Sequence, residues 1–460
     1  MSDLAQSTTG LSLKHPMAVA WVLALSVSLA NFDVTVVAVV LPAIRDELGF
    51  SISATAWVMD AYSLAFAGSL FAAGALADRF GRRRMLLLGN AGFALASLLC
   101  GLTWDGPSLW FARALQGVCA AFYITGGLAA ISLAYPPSDN AAHANHGRAR
   151  AFGIIGVTSG AAMALGPTLG GFVAAGFGWR WIFLINLPVC AICAWAVRRV
   201  IAESRDEEGR ALDIIGVVLL TLAIALPVQA LLHSDGAPVW RWFATGAGVL
   251  FGIALVRQQK RRAKPMLDPM LFRRREAIGI GCLLLSLSAG YWATLIYLPL
   301  YLLAAFGLDV ERSGLAMLCA TLPMLALPPV GVWATQRYGW QATFTGGLLL
   351  LTAGLTLLAY AAFTGASLWF ALGAMLLLAS GAGVSNSQVS GALVALAPPD
   401  RAGMASAMAT TLRQAGFAIG IALLGAVSGG VNYAAAFGVA AFAAALGAAA
   451  AALTLKRILT

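Results

Sequence analysis

Apolar stretches of about twenty residues or more recur along the whole of this chain, separated by short segments that hold most of its charge. A lipid bilayer core takes about twenty apolar residues per helix. On that length scale the sequence predicts spans near 17–41, 54–77, 85–104, 107–134, 151–175, 181–201, 212–232 and 238–256. Six more follow near 277–305, 313–335, 341–363, 367–396, 403–429 and 433–455, fourteen in all. Composition closes the soluble alternative. A soluble protein carries roughly a quarter charged residues. Here 10% of the 460 residues are charged and 60% hydrophobic, with a mean hydropathy of +0.84. Too little polar surface remains to coat a water-soluble globule, so the excess must face lipid.

The net charge of +10 would suit a nucleic-acid partner, but the positions of the charges argue otherwise. With the N-terminus placed inside and the spans alternating, 23 of the 29 Lys and Arg fall in inside-facing segments. Only Arg45, Arg180, Arg241 and Arg312 face outside, while Arg113 and Arg413 lie within helices. This is the positive-inside bias, and it puts both termini in the cytoplasm. The first apolar run continues to Leu41 without a cleavage site at its end, which fits a retained helix better than a signal peptide. All six cysteines lie in apolar runs, and the Cys190-x-x-Cys193 pair sits within a helix, where packing explains it better than redox or metal chemistry.

The spans group as six, two and six. Charged stretches Glu203–Arg210 and Arg257–Glu276 bound the middle pair. The expected units are an N-terminal bundle at 1–202, an inserted helix pair with charged linkers at 203–264, and a C-terminal bundle at 265–460. Two pseudo-symmetric six-helix bundles are the plan of a transporter that binds cargo near the midplane. A weak internal repeat agrees. Gly74-Ala-Leu-Ala-Asp78-Arg79-Phe-Gly81-Arg82 has a degraded echo in Gly331-Val-Trp-Ala-Thr-Gln-Arg337-Tyr-Gly339.

Several motifs carry more specific information. In Gly74–Arg84 the glycines suit close helix approach and a tight turn, and the basic cluster suits anionic lipid. A merely positive loop would account for the arginines but not for the Gly and Asp spacing. A second motif, Gly166-Pro167-Thr-Leu-Gly170-Gly171, combines a helix-kinking proline with a glycine face. Others are Asn31-Phe-Asp33-Val-Thr35, Trp57-Val-Met-Asp60-Ala-Tyr62, Arg113-Ala-Leu-Gln116-Gly117, Trp179–Pro188, Pro265–Phe272 and Ala402–Gly416. Together they resemble the major facilitator superfamily in its fourteen-helix drug:proton antiporter branch, which includes quaternary-ammonium and methylenomycin exporters. The matches run from about residue 31 to 425. The resemblance implies an all-α integral membrane fold of two six-helix bundles plus two inserted helices. It also implies multi-pass residence in a bacterial inner membrane, a monomer, and export of small molecules in exchange for protons. In it, Gly74, Asp78, Arg79, Gly81, Arg82, Gly166, Pro167, Gly170 and Gly171 belong to conformational motifs.

An ionisable group inside a bilayer is costly and defaults to a functional reading. Asp33, Asp60, Arg113 and Arg413 qualify. Burial and a nearby arginine act on an acid in opposite directions, so Asp33 suits a proton carrier, and the resemblance gives Arg113 a part in the coupling. A structural ion pair between the two helices is the alternative. For Asp60 two readings stand level, cation recognition and a structural pair. Trp57, Tyr62, Tyr123, Tyr291, Trp292, Tyr297, Asn186, Asn386, Gln388 and Arg413 complete the expected substrate-binding set, because aromatic rings suit loosely specific binding. The spans 313–335 and 403–429 contain no Asp or Glu, while relatives that export dications carry acids there. Monocationic or neutral cargo is expected instead.

No ATP-binding loop, catalytic triad or metalloprotease motif is present in the sequence, and His143-x2-His146 has too few ligands for a metal site. The expectation is therefore a transporter and not an enzyme, with no metal or cofactor, the proton gradient as energy source, and membrane lipid, protons and cargo as its partners. A dedicated exporter of one metabolite or self-made antibiotic is the nearest alternative.

Overall fold

The structure, a computed structural model, describes residues 16–134, 154–155, 158, 161–162, 165–203, 213–232, 238–262, 265, 274–396, 402–429 and 432–455. The paired histidines, Met266–Phe272, Gly160 and part of the basic inside-facing set (Arg148, Arg150, Arg205 and Arg210 among them) lie outside the described residues. Among the described residues every element is helical: α1 (Pro16–Leu48), α2 (Ile52–Phe80), α3 (Arg82–Leu102), α4 (Gly106–Ala134), α5 (Leu165–Phe177) and α6 (Trp181–Val200). Next come α7 (Ile214–Leu232) and α8 (Pro238–Lys260), the pair expected as an insertion. The remainder is α9 (Arg275–Phe306), α10 (Val310–Ala316), α11 (Leu318–Ala326), α12 (Pro328–Thr364), α13 (Leu368–Leu396), α14 (Ala402–Ser428) and α15 (Tyr433–Thr454).

Ten of the described helices are long and apolar enough to cross a membrane by length and composition. That number differs from the fourteen spans read from hydropathy for local reasons. Helices α2 and α4 are outside the ten because each has side chains outside those described, the described part of the fifth span is short, and the stretch after Asp309 is broken at Met317 and Leu327 into α10, α11 and the start of α12. Within α12 the backbone leaves the helical region at Gly339, where φ is 77°, so two apolar stretches are joined across a kink. Helix α9 is regular except for a π-helical turn at Ser288–Trp292, a local widening that is frequent at functional sites.

Helices α2, α3 and α6 pack around α4 and α1, and α9, α13 and α15 pack around α12 and α14. These two groups meet where α2 lies on α14 and where α1 lies on α9. Close approach needs glycine at selected points. A Cβ on Gly117 of α4 would overlap the Tyr62 carbonyl of α2. At the α5–α10 crossing, a Cβ on Gly171 would stand 2.9 Å from the Val310 carbonyl oxygen, and one on Gly314 would stand 3.0 Å from that of Pro167. Thr168 Oγ1 donates to the Gly314 carbonyl at 2.9 Å across the same crossing. Between α1, α2 and α9 a cavity of about 10 Å³ is lined by Leu41, Thr55, Ile296 and Tyr297.

The inserted pair is not set apart from the bundles. Helix α7 packs against α8 and also touches α2 and α14, so it lies along the seam between the two halves. A polar clasp holds the pair at one end. Asp213 accepts from Gly216 N at 2.9 Å, Gln258 Nε2 at 2.9 Å and Gln259 Nε2 at 2.6 Å, and pairs with Arg262 at 3.2 Å. Burial alone would raise the Asp213 pKa, but these donors and the Arg262 charge outweigh it and hold the carboxyl below its usual range.

Candidate functional site

Asp33 lies fully buried in α1, facing α4 and α6. Arg113 Nη1 donates to its Oδ2 at 2.5 Å. Asn186 Nδ2 donates to Oδ1 at 2.8 Å, and Gln116 Nε2 to the same oxygen at 3.3 Å. Ser97 Oγ of α3 accepts from Gln116 at 2.8 Å and from Asn186 at 3.2 Å, tying the two amides together. Arg113 Nη1 also donates to Gln116 Oε1 at 2.7 Å, and its Nε donates to the Val58 carbonyl at 3.0 Å. Its guanidinium carbon stands 4.5 Å from the centroid of the Tyr62 ring and 5.9 Å from that of Phe183. The cluster therefore draws on α1, α2, α3, α4 and α6, and all its charged and amide side chains are fully buried.

Such a cluster has unusual energetics. Two charges removed from water repay their desolvation only when paired and well hydrogen-bonded, and deleting one partner typically costs about 3–5 kcal/mol. Here the pairing is dense, yet Arg113 Nη2 and Asn186 Oδ1 have no hydrogen-bond partner among the described residues. The network is thus tight around the Asp33 carboxylate and incomplete at its edge.

Asp60 presents the opposite case. It is fully buried in α2, and neither carboxylate oxygen has a hydrogen-bond partner among the described residues. Tyr297 of α9 lies within electrostatic reach, but its hydroxyl donates to the Ile421 carbonyl at 2.7 Å. An unpaired carboxylate in a dry site is strongly disfavoured. Asp60 therefore needs a proton or a cation that the described residues do not supply.

The remaining expected residues divide clearly. Asn186, expected to meet cargo, is enclosed in the Asp33 network instead. The Tyr291 hydroxyl donates to the Ala320 carbonyl at 2.7 Å, so like Tyr297 it is tied to backbone. Trp292 stacks edge-on against Tyr291 at 5.0 Å in the π-helical turn, and its buried Nε1 has no partner among the described residues. Trp57, Asn386, Gln388 and Arg413 are half-buried. Arg413 sits mid-way along α14 with no ion pair or hydrogen bond among the described residues. The side chains of Tyr123 and Asp78 lie outside those described.

The two motif loops have distinct roles in packing. Gly81 has φ 106°, a conformation that favours glycine, and it ends α2 and starts α3 in a single residue. Gly74 is different, since an added Cβ would meet Thr125 at an ordinary 3.8 Å. Gly166 abuts Thr35, Gly170 abuts Val36, and Gly171 faces α10, so the second motif packs α5 on α1 and α10 together. Arg79 is exposed, and Arg82 half-buried, beside the Gly81 turn.

The sequence motifs do not single out Ser97, contain Phe183 only as one position of Trp179–Pro188, and mark Glu203 only as the start of a charged stretch. Gln116 was visible only as part of the Arg113 motif. A polar residue inside an apolar span was the available signal for Ser97 and Gln116. Nothing in the sequence pointed from Glu203 to the start of α3, where its carboxylate accepts from Arg83 N and Arg84 N, each at 3.1 Å.

The family model of the Major Facilitator Superfamily matches residues 23–421, and again 280–458. The chain belongs to the major facilitator superfamily. It is a multi-pass integral membrane transporter and not an enzyme. Among curated relatives, the multidrug efflux pump LfrA of Mycolicibacterium smegmatis is 32% identical over 412 residues, 88% of this chain and 79% of that protein. The probable actinorhodin transporter of Streptomyces coelicolor is 31% identical over 412 residues, 85% of this chain and 69% of the relative. The methylenomycin A resistance protein of the same species is 30% identical over 410 residues, covering 87% and 83%. Among solved structures, the human organic anion transporter MFSD10 (TETRAN) superposes with a TM-score of 0.67 at 18% identity, covering 95% of this chain and 99% of that one. Peptide transporter POT in complex with sulfate gives 0.68 at 17%, covering 94% and 93%. These last two establish the facilitator fold, and the curated relatives are antibiotic and multidrug exporters.

Proposed function

We propose that this facilitator exports small lipophilic toxic compounds in exchange for protons, by alternating access between two six-helix bundles. The observation that carries this reading is the buried cluster around Asp33 together with the unpartnered Asp60. A transporter driven by protons needs a carboxylate whose pairing changes with protonation. Asp33 has such pairing, because a proton on it removes the attraction that holds Arg113, leaving the guanidinium to rearrange with the bundle. Asp60 supplies a second acidic position, suited to a cationic cargo or a second proton. The topology that goes with this reading has fourteen spans, both termini in the cytoplasm, and residence in a bacterial inner membrane as a monomer. The absence of acids from 313–335 and 403–429, with Arg413 on the latter stretch, favours monocationic or neutral cargo over dications.

Reconstituted protein in liposomes tests the reading. An imposed pH gradient is expected to drive uptake of a lipophilic dye such as ethidium, and cargo addition is expected to release protons. Transport indifferent to the gradient would overturn the coupling. Curated relatives include both multidrug pumps and proteins whose names specify one antibiotic, which keeps a dedicated exporter as the second reading. Protection of cells against many unrelated dyes and antibiotics supports the broad reading, and protection against a single compound supports the narrow one.

A further inference from the structure

A cavity of about 400 Å³ opens between α3 and α6, away from the Asp33 cluster. Arg83, Arg84, Arg198 and Glu203 form its polar wall, and Leu87, Leu88 and Ala91 form its apolar floor. The groove is pinned at both ends. At one end Asn90 Nδ2 donates to the Cys190 carbonyl at 2.7 Å. At the other, Arg83 Nη2 donates to the Arg198 carbonyl at 3.0 Å. The seven helical steps from Arg83 to Asn90 set these pins about 10 Å apart along the helix axis.

Charge in the groove is unbalanced. Glu203 turns its two oxygens to the backbone N–H groups of Arg83 and Arg84, where it complements the N-terminus of α3. Arg83 spends one guanidinium donor on a carbonyl, while the guanidinium groups of Arg84 and Arg198 carry no ion pair or hydrogen bond among the described residues. Three cations thus face one anion. The floor continues directly onto lipid-facing surface, since Leu88 is 57% exposed. One turn along, the Arg199 guanidinium stands 5.9 Å from the centroid of the exposed Trp195 ring, a pairing suited to the membrane–water boundary.

We propose that this groove is a binding site for one anionic phospholipid, its headgroup phosphate between Arg84 and Arg198 and an acyl chain along Leu87, Leu88 and Ala91. Phosphate suits forked guanidinium donors, and the apolar floor rewards a chain that a free anion lacks. The pins are made by the Asn90 and Arg83 side chains on the Cys190 and Arg198 backbone carbonyls, so Arg84→Gln with Arg198→Gln removes charge and leaves the groove in place.

Native mass spectrometry of the intact purified protein, incubated with phosphatidylglycerol and phosphatidylcholine of matched chains, reads the site directly. Wild type is expected to retain one phosphatidylglycerol in preference to phosphatidylcholine. The Arg84→Gln/Arg198→Gln variant should lose that preference by roughly thirtyfold, about 1 kcal/mol per basic residue. Ala91→Trp, which fills the floor and keeps every charge, should also release the lipid, whereas Arg257→Gln with Arg261→Gln, an equal charge loss at the C-terminal end of α8, should not. Thermal unfolding of each variant confirms that it is folded before its lipid content is compared. Equal retention of both lipids, equal loss in the α8 variant, or displacement by inorganic phosphate would overturn the proposal, the last by reducing the groove to a general anion site.

Discussion

Arg113 Nη1 meets Asp33 Oδ2 at 2.5 Å in a site where neither side chain has any solvent exposure, and the pair joins α4 to α1. Asn186 and Gln116 crowd the other carboxylate oxygen, so the acid is held by three side chains from two further contacts and one ion pair. Asp33→Asn keeps the shape of this group and removes its charge. Proton-driven transport in liposomes should fall to background in that variant. Arg113 would then be buried without its anion, so unfolding should also become easier, by about 3–5 kcal/mol if the site stays closed. Retained gradient-driven uptake would remove Asp33 from the coupling.

Asp60 makes the contrasting prediction. Its oxygens bond to nothing among the described residues, so Asp60→Asn breaks no contact. Thermal stability is expected to hold or rise slightly, since a buried unpaired carboxylate opposes folding. Cation efflux should fall at least tenfold while neutral cargo still moves. Equal loss for both cargo types would assign Asp60 to proton coupling instead of cation recognition.

These two acids also mark how far the sequence could be read. Hydropathy located the helical stretches, because lipid imposes a fixed apolar length. Residue type picked out Asp33, Asp60 and Arg113, because ionisable groups are rare in that setting. Their partners were not legible in the same way. Whether Asn186 faces cargo or Asp33 depends on how α6 is rotated against α1, and hydropathy is silent on rotation when helices are apolar on nearly every side. Ser97 is marked only as a polar residue in an apolar run, and nothing in the sequence joins it to Gln116 or Asn186. The seating of α7 along the α2–α14 seam was equally hidden, since its sequence shows only an apolar pair between charged linkers.

At the crossing of α5 and α10, Gly314 leaves room for the Pro167 carbonyl and for Gly171. Gly314→Val would force the helices apart, at a cost of about 1–3 kcal/mol for overpacking. The variant should therefore spend more time with this seam open. Maleimide labelling of a Val310→Cys reporter is expected to speed up about tenfold in the Gly314→Val background. An unchanged rate would mean that the crossing does not gate access.

The Asp213 clasp yields a pH dependence. Its carboxyl is held below the ordinary range in the folded protein, so its contribution to stability is present above the unfolded-state pKa and is lost as pH falls through the folded-state value. Wild type should lose its advantage over Asp213→Asn on acidification below the usual carboxylate range, and the two unfolding curves should converge. Above that range wild type should stay the more stable. A constant gap across the titration would show that the clasp works through shape alone.

Arg413 tests the charge preference of the cargo path. It lies mid-way along α14, half-buried, and α14 carries no acid to neutralise it. A fixed cation there repels a second positive charge on cargo, and its removal relieves that repulsion without disturbing any ion pair among the described residues. Arg413→Gln is expected to leave monocation efflux within about twofold and to raise dication efflux several-fold, since relieving about 1 kcal/mol of repulsion is worth nearly a factor of five. Transport of a mono- and a dicationic dye, measured in the same liposomes, checks this. Loss of all transport in the variant would instead assign Arg413 to the conformational cycle.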